Sequence, residues 1–253
     1  MGRLDNRVAL VTGGGGSIGG ATARAFAAEG ARLVLVDLDG EGLARVVADV
    51  GEDVAVAVTA DVTDSAAVRG AVEEAVERFG GLDVAFANAG IFGSHAPVAE
   101  YPEDEFDRTM AVNVRGSFLV VKHAMAAMGD GPGSIVINSS VVGLTSAPMI
   151  LGYATAKHAL VGLMRTAAQE GAPKGIRVNS IHPGPVDNSF QHRIEVGATG
   201  QDEDAAAKIF EGMIPLDRHA RPDEIAFAVL VLASDESSFI TGATLAADGG
   251  MSI

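Results

Sequence analysis

Tyr153 and Lys157 stand four residues apart in Tyr153-Ala154-Thr155-Ala156-Lys157, and on a helix that spacing puts both side chains on one face. A free phenol ionises at about 10, too high for proton exchange at neutral pH. A lysine ammonium held beside it favours the phenolate and lowers that value. Such a pair can give a proton to a carbonyl oxygen or take one from an alcohol. Ser140, in Asn138-Ser139-Ser140, lies 13 residues before Tyr153. Its hydroxyl can hold the same substrate oxygen and steady the charge that develops there. Ser139 is the rival for that part. In isolation a Tyr and a Lys four apart are ordinary helix residues, so their meaning rests on what surrounds them.

A second chemical signal lies near the start of the chain. Arg7–Val11 reads as a buried strand and runs straight into Thr12-Gly13-Gly14-Gly15-Gly16-Ser17-Ile18-Gly19, with a helix after it. Glycines between a strand and a helix let the backbone turn sharply and let a pyrophosphate approach the helix N-terminus. Gly14-x-Gly16-x-x-Gly19 satisfies the generic dinucleotide pattern. The next strand ends at Val36-Asp37, where an acid bonds an adenosine ribose 2′-hydroxyl. A carboxylate there repels a 2′-phosphate, and no Lys or Arg follows in Leu38-Asp39, so NAD(H) is expected over NADP(H).

The elements that must position these groups alternate. Strands are expected at Arg7–Val11, Arg32–Asp37, Val54–Thr59, Leu82–Ala87, Ser134–Asn138, Ile176–Ile181 and Thr244–Ala247. Helices are expected at Ile18–Glu29, Glu41–Val50, Ser65–Phe79, Glu103–Met128, Tyr153–Glu170 and Asp223–Ala233. Val68, Val72, Val76 and Phe79 show helical spacing, with Asp64 as the N-cap. Strands joined by helical crossovers imply an α/β fold, a Rossmann-type doubly wound parallel sheet of about seven strands with helices on both faces. Ligands bind beyond the carboxyl ends of such strands. Residues 184–220 read as irregular and polar, with helical character near Asp202–Met213, and the stretch around 186–215 as a mobile lid. With no linker in view, 1–253 is expected to be a single dinucleotide-binding domain.

Together these motifs resemble the short-chain dehydrogenase/reductase family in its compact single-domain form, over nearly the whole chain. The family's T-G-x-x-x-G-x-G turn is matched at Thr12, Gly13 and Gly19, and its adenine-contacting Asp by Asp61 in Asp61-Val62. Asn88-Ala89-Gly90 matches its N-A-G motif, Asn113-Val114-Arg115-Gly116 its N-V-x-G motif, and Pro183-Gly184 its P-G motif. Ser140, Tyr153 and Lys157 match its active-site Ser and its Y-x-x-x-K. The resemblance implies hydride transfer between nicotinamide C4 and a secondary alcohol or ketone carbon, with Asn113, Ser140, Tyr153 and Lys157 catalytic. It implies that Lys157 also bonds the nicotinamide ribose and that Asn113 holds a water linking Lys157 to solvent. The implied cofactor contacts are Gly13, Gly16, Ser17, Ile18, Gly19, Asp37, Leu38, Asp61, Val62, Asn88, Gly90, Tyr153, Lys157, Pro183, Gly184 and Val186. It also implies a homotetramer, with the helices around 103–128 and 153–170 and the C-terminal strand at interfaces. Two residues depart from the family pattern. Ser17 stands at the middle glycine, and Asn188 stands where a Thr commonly contacts the cofactor.

The bulk composition narrows the remaining classes. The 253 residues are 48% hydrophobic with a net charge of −15, and no Lys/Arg cluster suits nucleic acid or an anionic membrane. With no cysteine, thiolate nucleophiles and Cys-based zinc sites are excluded. The six histidines (His95, His123, His158, His182, His192 and His219) show no metal-ligand spacing with a carboxylate, so no metal is expected. The N-terminal Met1-Gly2-Arg3-Leu4-Asp5-Asn6 lacks a signal-peptide core, and no apolar run reaches bilayer length, so a cytoplasmic protein is expected. Phe92, Met149, Ile150 and Leu151 are expected to form an apolar pocket wall, and His95 lies near the expected substrate mouth, where a solvated loop residue is expected over a substrate contact. The competing classes are an NAD-binding regulator without turnover, and a dehydratase or epimerase using bound NAD⁺.

Overall fold

Residues 2–253 are described by a computed structural model, and Met1, the first residue of the expected domain, lies outside them. The strands are β1 (Val8–Thr12), β2 (Arg32–Asp37), β3 (Ala55–Thr59), β4 (Val84–Ala87), β5 (Gly133–Asn138), β6 (Ile176–Pro183) and β7 (Thr244–Ala247). All pair in parallel in one sheet of order β3-β2-β1-β4-β5-β6-β7. The helices are α1 (Ser17–Ala28), α2 (Gly40–Val50), α3 (Ser65–Phe79), α4 (Glu103–Met110), α5 (Ser117–Met128), α6 (Leu151–Gly171), α7 (Ser189–Thr199), α8 (Glu203–Glu211) and α9 (Pro222–Ala233).

Successive side chains on a strand point to opposite faces, and because both faces are covered the strands are apolar on both. Leu10, Val34, Ala85, Ile135 and Val178 pack against α3, α5 and α6. Their neighbours Val11, Leu33, Phe86, Val136 and Ile181 pack against α1, α2 and α9. The sheet order reverses between β1 and β4. Loops leaving the two strands therefore part to opposite sides and leave a crevice at their carboxyl ends.

Element types follow the sequence pattern, with three differences. The expected helix Glu103–Met128 is α4 and α5 joined by a π-helical turn at Ala111–Gly116. Wider turns of this kind are common at functional sites, and this one carries Asn113. In residues 184–220 the helical character expected near Asp202–Met213 is α8, capped by Asp202 Oδ1 on Ala205 N–H (3.0 Å), but the stretch expected to be irregular before it holds α7, capped by Asn188 Oδ1 on Gln191 N–H (2.9 Å). β6 runs two residues further than expected, through His182 and Pro183. Asp64 does cap α3, accepting from Ala66 N–H at 2.8 Å. Among the described residues, no helix is long and apolar enough to cross a membrane.

The crevice is held open by polar side chains at the strand ends. The buried Thr12 Oγ1 accepts from the backbone N–H groups of Asn88 (3.0 Å) and Ala89 (3.2 Å). Asn88 Nδ2 donates to Thr12 O (2.9 Å), and Asn138 Nδ2 donates to Asn88 Oδ1 (2.8 Å). Two backbone donors after β4 and the last carbonyl of β1 are thereby paired within the protein, and the Asn138 side chain ties in the end of β5. Thr12→Val keeps the shape and leaves two part-buried N–H groups without their acceptor, a cost of about 1–3 kcal/mol in denaturant unfolding. Thr12→Ser keeps the acceptor and is expected to recover most of it; equal losses for Val and Ser would overturn this account.

Candidate active site

A cleft of about 1100 Å³ opens at the carboxyl ends of the strands. It gathers every cofactor contact expected from the sequence, together with Ser140, Tyr153 and Lys157. Asn113 is the exception: it is buried beneath the cleft and does not line it. Its Oδ1 accepts from Ile91 N–H and its Nδ2 donates to Ile91 O, both at 2.8 Å. The amide is thus a strut between the π turn and the loop after β4. Any hold on water must fall to its main-chain carbonyl, which already accepts from Ser117 Oγ at 2.7 Å.

The glycine turn is built for close approach. Gly13 has φ +65°, and a Cβ on Gly19 would sit 2.0 Å from Gly13 O. Any side chain at position 19 would therefore push the turn off the start of α1. Ser17 is exposed at the first position of α1 and faces the cleft, where its small hydroxyl has room. Asp37 is held by two backbone donors, Gly15 N–H to Oδ2 (3.0 Å) and Asp39 N–H to Oδ1 (3.1 Å). This fixes a carboxylate at one end of the cleft. Asn188 spends Oδ1 on capping α7, so a ligand contact there falls to its amide nitrogen.

At the other end, Tyr153 and Lys157 occupy adjacent turns of α6. Lys157 Nζ donates to Asn138 O (2.8 Å) and lies 5.3 Å from the Tyr153 ring centroid. Ser139 Oγ donates to Lys157 O (2.9 Å), which commits it to structure and leaves Ser140 as the serine beside the Tyr153 phenol. Phe92 packs on Tyr153 at 5.4 Å between centroids. Phe190 of α7 approaches the other side at 6.5 Å. Met149 and Ile150 line the pocket as expected and His95 lines it too, whereas Leu151 does not. Phe190 and His182, which contacts the Ser140 carbonyl, went unassigned in the sequence because neither carries a spacing signal. Among the described residues, no three His, Asp or Glu side chains gather to hold a metal.

These residues fit a dinucleotide. The cleft has a glycine cradle at a helix N-terminus, a fixed carboxylate beyond it, and a buried acceptor, Asn138 Oδ1, without a protein partner.

Comparison with known proteins agrees. The family described as Enoyl-(Acyl carrier protein) reductase matches residues 14–252. Short-chain dehydrogenase reductase 3a of Arabidopsis thaliana is 39% identical, over 99% of this chain and 97% of that protein. Trans-4-hydroxycyclohexanecarboxylate dehydrogenase of Sinomonas cyclohexanicum is 41% identical, over 98% of this chain and 93% of that one. The crystal structure of NAD⁺-bound xylitol dehydrogenase superposes with a TM-score of 0.91 at 39% identity, covering 98% of this chain and 99% of the other.

Burial moves both titrating groups toward their neutral forms. Burial pushes the Tyr153 phenol up to about 12, opposed by the nearby Ser140 hydroxyl. This is opposite in sign to the lowering expected from Lys157. Burial also brings the Lys157 amine down to about 7. Because that folded value lies below the ordinary 10.5, folding is penalised in full below about 7, and between the two values the unfolded chain holds more protons, so stability rises with pH. The penalty fades as pH rises toward 10.5. Lys157→Met removes it, so the melting temperature of the variant relative to the parent is expected to be most favourable, and level, at and below about pH 7. That difference should shrink steadily through alkaline pH, and a constant difference would overturn the placement of a titrating amine there.

Proposed function

We propose that this chain, which belongs to the short-chain dehydrogenase/reductase family, moves a hydride between NAD(H) and the carbon of a secondary alcohol or ketone. One observation carries the reading. A carboxylate fixed at the end of β2 and a Ser-Tyr-Lys set at the end of β5 and on α6 face one cleft across the sheet's switch point. Bound NAD(H) supplies the hydride donor or acceptor. Gly13, Gly16, Ser17, Ile18 and Gly19 would hold its pyrophosphate, Asp37 and Leu38 its adenosine ribose, and Asp61 and Val62 its adenine. Asn88, Gly90, Pro183, Gly184 and Val186 would hold the nicotinamide half, with Lys157 on the ribose.

The chain's own residues do the proton work. With the phenol neutral at rest, Tyr153 gives its proton to the substrate oxygen in reduction; in oxidation the phenol first releases its proton toward Lys157 and solvent, and the phenolate then takes the proton of the alcohol. Ser140 donates a hydrogen bond to the same oxygen as charge builds on it. A protonated Lys157 lowers the cost of the phenolate, and the Asn113 carbonyl links it to solvent through water.

Phe92, Met149, Ile150, Phe190 and Met213 give the mouth an apolar lining. That favours a small secondary alcohol or cyclic ketone over a phosphorylated or CoA-linked substrate, and the name of the Sinomonas relative supports it. Residues 186–215, carrying α7 and α8, act as a lid on a single dinucleotide-binding domain. Assembly as a homotetramer would cover the exposed Phe118 of α5 and Phe239 near the C-terminal strand, and light scattering of the purified protein tests it.

Incubation of the purified protein with NAD⁺ and a panel of secondary alcohols should release NADH, seen by its absorbance. Tyr153→Phe is expected to lower kcat by about 10²–10⁴-fold while NADH still binds; a residual kcat within a few-fold of the parent removes Tyr153 from the chemistry. A higher kcat/KM with NADP⁺ than with NAD⁺ overturns the assignment to Asp37. No turnover across a broad panel favours a dinucleotide-binding regulator, and turnover without released NADH favours a dehydratase or epimerase.

A further inference from the structure

On β6, Ile176, Val178, Ser180 and His182 share one face of the strand, the face packed against α6. The first two are core residues, but the last two put a hydroxyl and an imidazole into a fully buried place behind the catalytic serine. His182 Nδ1 lies 2.9 Å from Ser140 O, and Nε2 lies 2.8 Å from Ser180 Oγ. A carbonyl can only accept, so Nδ1 must carry a proton. Burial and the nearby Lys157 lower the imidazole's affinity for a second proton. The ring is therefore neutral with Nε2 bare, and the Ser180 hydroxyl donates to it.

Ser140 O also accepts from Gly143 N–H at 2.9 Å. Both lone pairs of this carbonyl are thus taken, one by the 3₁₀ turn at Val141–Gly143 and one by His182. The peptide on the near side is held as well, because Ser139 N–H donates to Ile181 O at 2.9 Å. Beyond β5 no ladder continues, so these bonds orient the backbone that carries the Ser140 hydroxyl toward the Tyr153 phenol.

We infer that His182, through its Nδ1–H donor, is a positioning residue that sets the Ser140 hydroxyl against Tyr153 and the substrate oxygen. The inference rests on the oxidoreductase reading above for its effect on turnover, and on geometry alone for the hydrogen bond. Apolar burial by itself calls for no such group: the shape would be met by a leucine, and the polarity is accounted for only by its two partners.

Two measurements test it. Nitrogen-15 NMR of the His182 ring at neutral pH should show the neutral Nδ1–H form, without reference to activity. An Nε2–H form or an imidazolium would overturn the proposal whether or not the protein turns over any alcohol. The second is a set of three variants assayed with NAD⁺ and the best alcohol found. In His182→Asn the amide nitrogen falls where Nδ1 was, so kcat should stay within about threefold of the parent. His182→Gln carries its amide to the Nε2 position and His182→Leu carries none. Both should lose about 10–100-fold in kcat, with KM and the Kd for NADH changed little. Asn and Gln both disturb the Ser180 contact, so their melting temperatures should fall together while their kcat values part. Equal kcat for Asn and Gln, or a kcat in all three that merely follows melting temperature, would reduce His182 to a core residue. A parent protein that shows no alcohol turnover strikes the oxidoreductase reading and leaves the NMR result to decide the hydrogen bond.

Discussion

One hydrogen bond organises the site: the buried Lys157 Nζ donates to the Asn138 carbonyl at 2.8 Å. An amine taken out of water needs an acceptor, and this one is the last main-chain group of β5. The strand must therefore end there, and α6 must pass close enough to reach it. The Asn138 side chain continues the chain of bonds to Asn88, and Asn88 continues it to Thr12. Three strand ends and one helix are tied together in this way. Tyr153 sits one turn earlier on α6, so fixing the amine fixes the phenol, and Ser140 is fixed two residues beyond the carbonyl that holds the amine.

Most of this frame is legible in the sequence, because periodicity and punctuation are strong where elements are buried. Seven apolar runs separated by helical patterns give a parallel sheet by topology alone. The glycine turn and Asp37 both mark the carboxyl end of one parallel strand pair. What was not legible depends on contacts far apart in the chain. The π turn at Ala111–Gly116 leaves no trace in hydrophobic spacing, since the helical pattern continues through it. Asn113 reads as a polar residue on a helix, and only the structure shows both ends of its amide consumed by Ile91, 22 residues away. His182 looks like any strand-end residue until Ser140 is placed beside it.

The segment over the cleft was misread for a related reason. α7 is polar, short and capped, so a reading based on apolar period misses it, whereas the apolar face of α8 shows in the sequence near Asp202–Met213. The order of α7 comes from hydrogen bonds. Glu195 is fully buried on α7, accepting from His219 Nε2 at 2.6 Å and from Gln191 Nε2 at 2.9 Å. A buried carboxylate is tolerated only where donors meet it, so this contact ties α7 to the segment before α9. A polar sequence is here a sign of order made by side-chain pairing, not of disorder.

The same burial that shapes the cleft works against the chemistry proposed for it. Burial holds the phenol at about 12 and the amine at about 7, and each shift disfavours the charged form that proton transfer must visit. The protein meets this with fixed dipoles. Asn138 O faces the amine, and the Ser140 hydroxyl faces the phenol and lowers its value. Preorganised groups stabilise charge without reorienting when it appears, but only if their backbone cannot swing away. That requirement gives the polar network behind the site its purpose. Thr12, Asn88 and Asn138 hold the strand ends, and the paired carbonyl of Ser140 holds the turn between them. In the proposed chemistry, rigidity in this second layer, more than the identity of any one titrating group, is what would let the neutral Tyr153–Lys157 pair take up and release a proton.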